Sequence, residues 1–120
     1  MTPTRSLLDD LVARGVDDWV YDAELLDIAA QHGADEPGDR LTVALGLAAQ
    51  ALIAGLVEAG TVSNDGFVAW NCTGVLALER IGRQWISLAD PLVMLGEIVW
   101  LRNTPQGDAA GQAVLARERA

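Results

Sequence analysis

A chain of 120 residues suits a single domain over residues 1–120, long enough to bury a core and too short for two. Seventeen acidic residues against eight basic ones give a formal charge of −9; every base is arginine and lysine does not occur. Such a field repels phosphate backbones and anionic lipid, so nucleic-acid and membrane partners are disfavoured, and a phosphate loop built on lysine is excluded.

Ser6 and Asp9 have capping-box spacing with the shorter acid, and Leu7, Leu8, Leu11 and Val12 then share one face of a first helix that stops at Gly15. Val16 to Tyr21 has the composition of a short strand or an extended linker. Asp22 is placed to cap a second helix, with Glu24 in its first turn, Leu25, Leu26, Ala29 and Ala30 inside and Gly33 at its end. Ala34 to Gly38 is a loop. The seventeen residues from Leu41 to Val57 carry no charge. That is short for a membrane span, and Gln50 with clusters of glycine and alanine argues further against one, so a central helix surrounded by the others is expected, capped at Asp39 and finished at Gly60.

Thr61 to Trp70 predicts a β-hairpin turned at Asn64-Asp65-Gly66. Thr73 caps a further helix in which Leu78, Ile81, Trp85 and Leu88 share a face, Glu79, Arg80 and Arg83 stay wet, and Asp90-Pro91 makes the end. Glu97 to Leu101 has strand composition, and Thr104-Pro105 opens a C-terminal helix carrying Val114 and Leu115.

Helix, strand, helix, helix, strand, strand, with an extra helix before the last strand and a closing helix after it, is an order that resembles a winged helix. Ala54-Gly55-Leu56-Val57-Glu58-Ala59-Gly60 resembles the end of a winged-helix third helix running into the wing. Trp100-Leu101-Arg102-Asn103-Thr104-Pro105-Gln106-Gly107-Asp108 is similar to the leucine, threonine, proline, any residue, glycine step into a final helix, with Asn103 following an inserted Arg102. The resemblance implies a mainly α fold with a small β-sheet, winged-helix-like, with a helical insertion between the two wing strands. A looser similarity to small actinobacterial proteins of unassigned role implies no activity.

Winged-helix DNA binders lay the third helix in the major groove, where basic and amide side chains must reach phosphates and base edges. Here that helix offers Arg40, Thr42 and Gln50, and the wing at Asn64-Asp65-Gly66 is acidic. DNA binding would therefore need Arg40, Arg80, Arg83 and Arg102 to gather on one face. For nucleophilic catalysis the candidates are Cys72 and His32, which lack the surrounding glycine-rich or nucleophile-elbow context; Cys72 reads as a small core hydrophobe and His32 as a dipole partner or surface residue. Asp9, Asp10, Asp17, Asp18 and Asp22 lack the spacing of a calcium loop, and a zinc set is missing. No catalytic residue, metal or cofactor is expected. A lone cysteine precludes an intrachain disulfide, and Met1 to Ser6 lacks the basic flank and apolar run of a secretory signal, so the cytoplasm is expected, and the acceptor pattern Asn71-Cys72-Thr73 is set aside.

Ten acids precede Leu41 against Arg5, Arg14 and Arg40, which leaves −7 on the first third of the chain. A lopsided acidic face either keeps the protein soluble or complements a basic partner. Of the four tryptophans, Trp85 and Trp100 sit on patterned elements and are expected in the core, while Trp19, among Asp17, Asp18 and Asp22, and Trp70, at the hairpin's end, are candidate anchors. Asp17, Asp18, Trp19, Asp22 and Trp70 thus form the expected partner-binding set of an acidic, non-catalytic protein-interaction module. Its concrete form is an immunity or antitoxin protein that occludes a basic protein partner; a winged-helix DNA-binding transcription regulator is the alternative. The oligomeric state stays open, a homodimer included.

Overall fold

The computed structural model describes residues 5–88 and 96–120. Helix α1 (Leu7–Arg14) starts as its capping chemistry predicts, with Ser6 Oγ accepting the Asp9 N–H at 3.0 Å. Strand β1 (Val20–Tyr21) leads into α2 (Asp22–Gln31), whose cap position is Tyr21 and has no side-chain cap bond. Asp22 is therefore the first helical residue rather than the cap, because its carboxylate is drawn to backbone N–H groups elsewhere in the chain. Leu25, Leu26, Ile28 and Ala29 are buried, with Ala30 at the margin.

Helix α3 (Pro37–Ile53) begins ahead of the Asp39 cap expected for it, since Pro37 presets the first helical φ and has no N–H to satisfy. It also ends earlier than Gly60. Gly55 takes φ +75°, its N–H donates to Leu52 O at 3.2 Å, and the Leu56 N–H donates to Ala51 O at 3.0 Å, which is a Schellman stop. The residues from Val57 are thereby released to strand β2 (Val57–Ser63). Nor is α3 enclosed on all sides: Ala44, Leu47, Ala48, Ala51 and Leu52 are buried, while Thr42, Gly46, Gln50 and Ile53 are exposed. The expected hairpin forms with β3 (Gly66–Ala69), Ser63 pairing with Gly66 at φ +93° across Asn64-Asp65.

Helix α4 (Gly74–Ile86) is capped by Thr73, whose Oγ1 accepts the Leu76 N–H at 3.2 Å. Ala77, Ile81 and Trp85 are buried, with Leu78 and Leu88 packed partly against them. The Asp90-Pro91 step lies outside the described residues. Strand β4 (Trp100–Asn103) starts later than Glu97, because the N–H groups of Gly96, Ile98 and Val99 are all directed to Asp22. Thr104 then caps α5 (Pro105–Arg119), its Oγ1 accepting the Gly107 N–H at 3.2 Å and donating to Gly55 O at 2.6 Å.

The fold is mainly α with a small four-stranded antiparallel sheet in the order β1-β4-β2-β3. Strand register separates two faces. Val20, Leu101, Ala59 and Val57 point into the core shared with α1 to α4, and Tyr21, Trp100, Gly60, Glu58 and Arg102 point the other way. Helix α5 lies along α1, where a Cβ at Gly111 would collide with the Val12 carbonyl. The same close approach puts Gly107 against the Leu56 carbonyl, so α5 is seated by backbone contact at both points. Among the described residues no helix is long and apolar enough to cross a membrane.

Candidate functional site

Several of the N-terminal carboxylates are matched inside the fold. Asp10 is 6% exposed and takes Arg14 Nε at 3.0 Å, Arg5 at 3.2 Å and His32 Nε2 at 3.2 Å. Burial alone would raise its pKa; hydrogen bonds and charge from Arg14, with His32 and Arg5, overcome that and hold the carboxyl below its ordinary value. Arg14 reaches on to Asp27 at 3.0 Å, Arg5 to Glu118 at 2.6 Å, and Arg117 to Asp9 at 3.0 Å. The hydrogen bond to Glu118 raises the Arg5 pKa further above its usual range. His32 is therefore a tie between α2 and α1, at the C-cap of its own helix.

Asp22 goes further inward. It is fully buried, with Oδ1 accepting from Ala23 N at 2.7 Å and Gly96 N at 2.8 Å, and Oδ2 from Ile98 N at 2.8 Å and Val99 N at 3.5 Å. A carboxylate with no solvent-facing surface cannot meet a partner, so Asp22 leaves the expected binding set. It pins the segment before β4 to the start of α2 instead.

Asp17 and Asp18 are exposed, and with Trp19 they line a cleft of about 520 Å³ together with Gly15, Val16, Arg102, Asn103 and Asp108. Three elements build it. The α1–β1 connection turns at Gly15 and carries both aspartates, β4 supplies Arg102 and Asn103, and the first turn of α5 supplies Asp108. Asp18 Oδ1 accepts the Trp19 N–H at 2.7 Å, which steadies the connection locally. Trp19 packs on Phe67 of the hairpin with ring centroids 5.8 Å apart, and so is half-buried rather than projecting. Arg102 lies 4.4 Å from the centre of Phe67 with its Nε donating to Glu58 at 2.6 Å, so its charge is matched by a carboxylate across the strand pair. Asp17, Asp18 and Asp108 have no cation partner among the described residues.

Trp70 is not brought to this cleft. It stands on the opposite side of the sheet, its indole N–H donating to Thr61 Oγ1 at 2.9 Å and Arg80 lying 3.8 Å over its ring. Trp85 is in the core as expected, whereas Trp100 is half-buried on the outer face, stacked on Tyr21 at 4.9 Å with its N–H donating to Gly96 O at 3.0 Å. Strand alternation explains the correction: Leu101 takes the inward position, so Trp100 must face out. Cys72 is exposed, not in the core, because Asn71 at φ +54° turns the chain out of the sheet before the Thr73 cap. Among the described residues, no group of three or more His, Cys, Asp or Glu side chains could hold a metal ion.

The four arginines that a DNA face would require lie on three elements, Arg40 on α3, Arg80 and Arg83 on α4 and Arg102 on β4, and each is engaged there. Arg40 donates to Ala34 O at 2.9 Å, Arg80 covers Trp70, Arg83 pairs with Glu79 at 3.3 Å, and Arg102 pairs with Glu58. Neither a family model, a curated protein nor a solved structure matches this chain significantly. The two residues that sequence reasoning missed are Asn103 and Asp108. Both lie in the stretch read as a step between strand and helix, and only the placing of β4 and the first turn of α5 beside the α1–β1 connection brings them to one cleft with Asp17.

Proposed function

We propose that the protein is an acidic, non-catalytic interaction module that binds a basic protein partner at the cleft lined by Asp17, Asp18, Trp19 and Asp108. The observation that carries this reading is selective neutralisation. Asp9, Asp10 and Asp27 are matched by arginines and Asp22 by backbone donors, yet the three cleft carboxylates are left to solvent beside a tryptophan. Exposed, unmatched acids around a held aromatic ring supply electrostatic steering and an anchor on the same surface.

In its concrete form this is an immunity or antitoxin protein of the cytoplasm that occludes the basic active site of a toxin such as a nuclease. The element order supports a winged-helix-like scaffold, with β3 and α4 inserted between β2 and β4. A DNA-binding regulator on that scaffold would need several bases on α3, which has Arg40 alone, donating to Ala34 O, while its exposed side carries Asp39, Thr42, Gly46, Gln50 and Ile53.

Affinity purification of the native protein beside its Asp17→Asn/Asp18→Asn variant, with mass spectrometry of what co-elutes, tests the proposal. A stoichiometric basic protein retained by the native chain and lost from the variant is the expected result. A chain that retains none, or retains the same protein irrespective of the two substitutions, overturns it. Binding of duplex DNA at micromolar protein and low salt would move the reading to the regulator.

A further inference from the structure

The chemistry of the cleft identifies what part of a partner it takes. We infer that it receives an arginine side chain of the partner, with the guanidinium against Trp19 and its N–H groups on Asp17, Asp18, Asp108 and Asn103; this rests on the interaction-module reading above.

Asn103 is the observation that separates this from a loose acidic patch. It is 9% exposed, and its Nδ2 donates to the Val12 carbonyl at 2.9 Å, which settles which end of the amide is which. The other end, Oδ1, lies next to Gly15 on the cleft wall, where only a glycine leaves it room, and it accepts no hydrogen bond among the described residues. Among the described residues no side-chain oxygen or nitrogen is both sealed from solvent and unsatisfied, so Oδ1 keeps contact with solvent, and Asn103 and the adjoining Gly15 both line the cleft. A buried amide held by its nitrogen thus presents a fixed acceptor to a space that three carboxylates share.

The carboxylates of Asp17, Asp18 and Asp108 and the Oδ1 of Asn103 are all acceptors, the Asn103 Nδ2 being spent on the Val12 carbonyl, so the ligand that complements them is rich in donors and positively charged. Arginine and lysine both qualify by charge, and geometry decides between them. A guanidinium is planar, presents five N–H donors as a fork, and stacks on an aromatic face, whereas an ammonium is a compact and strongly hydrated point. Trp19 is held from the hairpin side by Phe67 and is also one of the residues that line the cleft. Arg102 does not fill the place, because Glu58 and the Phe67 ring already engage it.

The test uses the full chain, labelled with nitrogen-15 and titrated at low salt with two peptides of equal length, one of alternating glycine and arginine, the other of alternating glycine and lysine. The arginine peptide is expected to bind about tenfold more tightly and to shift the Trp19 indole, Gly15 and Asp108 signals. Asp108→Asn, or Asp17→Asn with Asp18→Asn, should bring its affinity down to that of the lysine peptide, while Asp35→Asn on the distant loop leaves it unchanged. Equal affinities, or shifts spread over α2 and α4 without the cleft, overturn the inference. Its failure is separable from that of the interaction reading. A captured partner that needs Asp17 and Asp18 but tolerates exchange of its arginines for lysines removes the inference alone. Arginine-peptide binding at the cleft without any such partner removes the interaction reading alone.

Discussion

Asp22 and the pair Asp17 and Asp18 lie within one short stretch of chain, yet they have opposite fates. Asp22 is sealed in the interior with backbone N–H groups on both oxygens, and Asp17 and Asp18 stand in solvent without a cation partner among the described residues. The difference teaches how to read the charge of the first third. A carboxylate inside a fold must be matched by donors or cations, so an inward acid contributes to architecture and adds little field at the surface. The −7 counted along the sequence is therefore not a uniform face: Asp9, Asp10 and Asp27 are paired with arginines, whereas Asp17 and Asp18 between α1 and β1, and Asp35, Glu36 and Asp39 between α2 and the start of α3, stay exposed.

The largest test of this contrast is Asp22→Asn. An amide would set an N–H₂ against the backbone donors of Gly96, Ile98 or Ala23, and destabilisation of about 3 kcal/mol is expected, read as a fall of roughly 10 °C in Tm. An unchanged Tm would mean that the segment before β4 is held by something other than this carboxylate. Asp10→Asn should cost about 2 kcal/mol in chemical denaturation, since it leaves Arg14 and Arg5 part-buried with a weakened partner. Its acid dependence has a fixed sign. Because the folded pKa lies below the ordinary carboxylate value, the stabilisation is complete above that ordinary value and is lost as pH falls through the folded one. The variant should accordingly show a flatter loss of stability on acidification than the native chain, and parallel curves would contradict the network.

Asp17→Asn with Asp18→Asn belongs to the other half of the comparison. Stability should stay within about 0.5 kcal/mol of the native value while partner binding falls, because neither side chain supports the core. A marked loss of stability would place these residues with Asp22. The smallest effect concerns Glu24, whose carboxyl burial raises, with Asp18 and Asp27 adding to the shift. A raised carboxyl pKa disfavours the folded state once deprotonated, so Glu24→Gln should lift the Tm at neutral pH slightly and leave it unaltered at pH values below the ordinary carboxylate range. A lower Tm at neutral pH would show that the Tyr21 backbone contact outweighs desolvation.

Legibility from sequence followed the range of the interactions involved. The Ser6, Thr73 and Thr104 caps, the turn at Asn64-Asp65-Gly66 and the Trp85 face of α4 rest on contacts between near neighbours, and each was readable from residue types alone. The end of α3 lies at Gly55 rather than at Gly60, the stop expected from sequence. Pairing of β2 with β4 from Val57 onward is what favours the first. Trp100, expected in the core for its place on a patterned element, is turned outward by the register against Gly60 and Tyr21.

Sequence by itself determined the strong negative charge, the absence of lysine, the mainly helical character and the residues Asp17, Asp18 and Trp19 as a place where acid and aromatic meet. Tertiary structure alone decided which carboxylates stay available there. Asp22 finds its donors at Gly96 and Ile98, Asp9 its cation at Arg117, and the cleft its fourth wall at Asp108, all far along the chain. Hydrogen bonds and ion pairs of that range leave no periodicity in a sequence, because they depend on how helices and strands are stacked rather than on how residues are spaced.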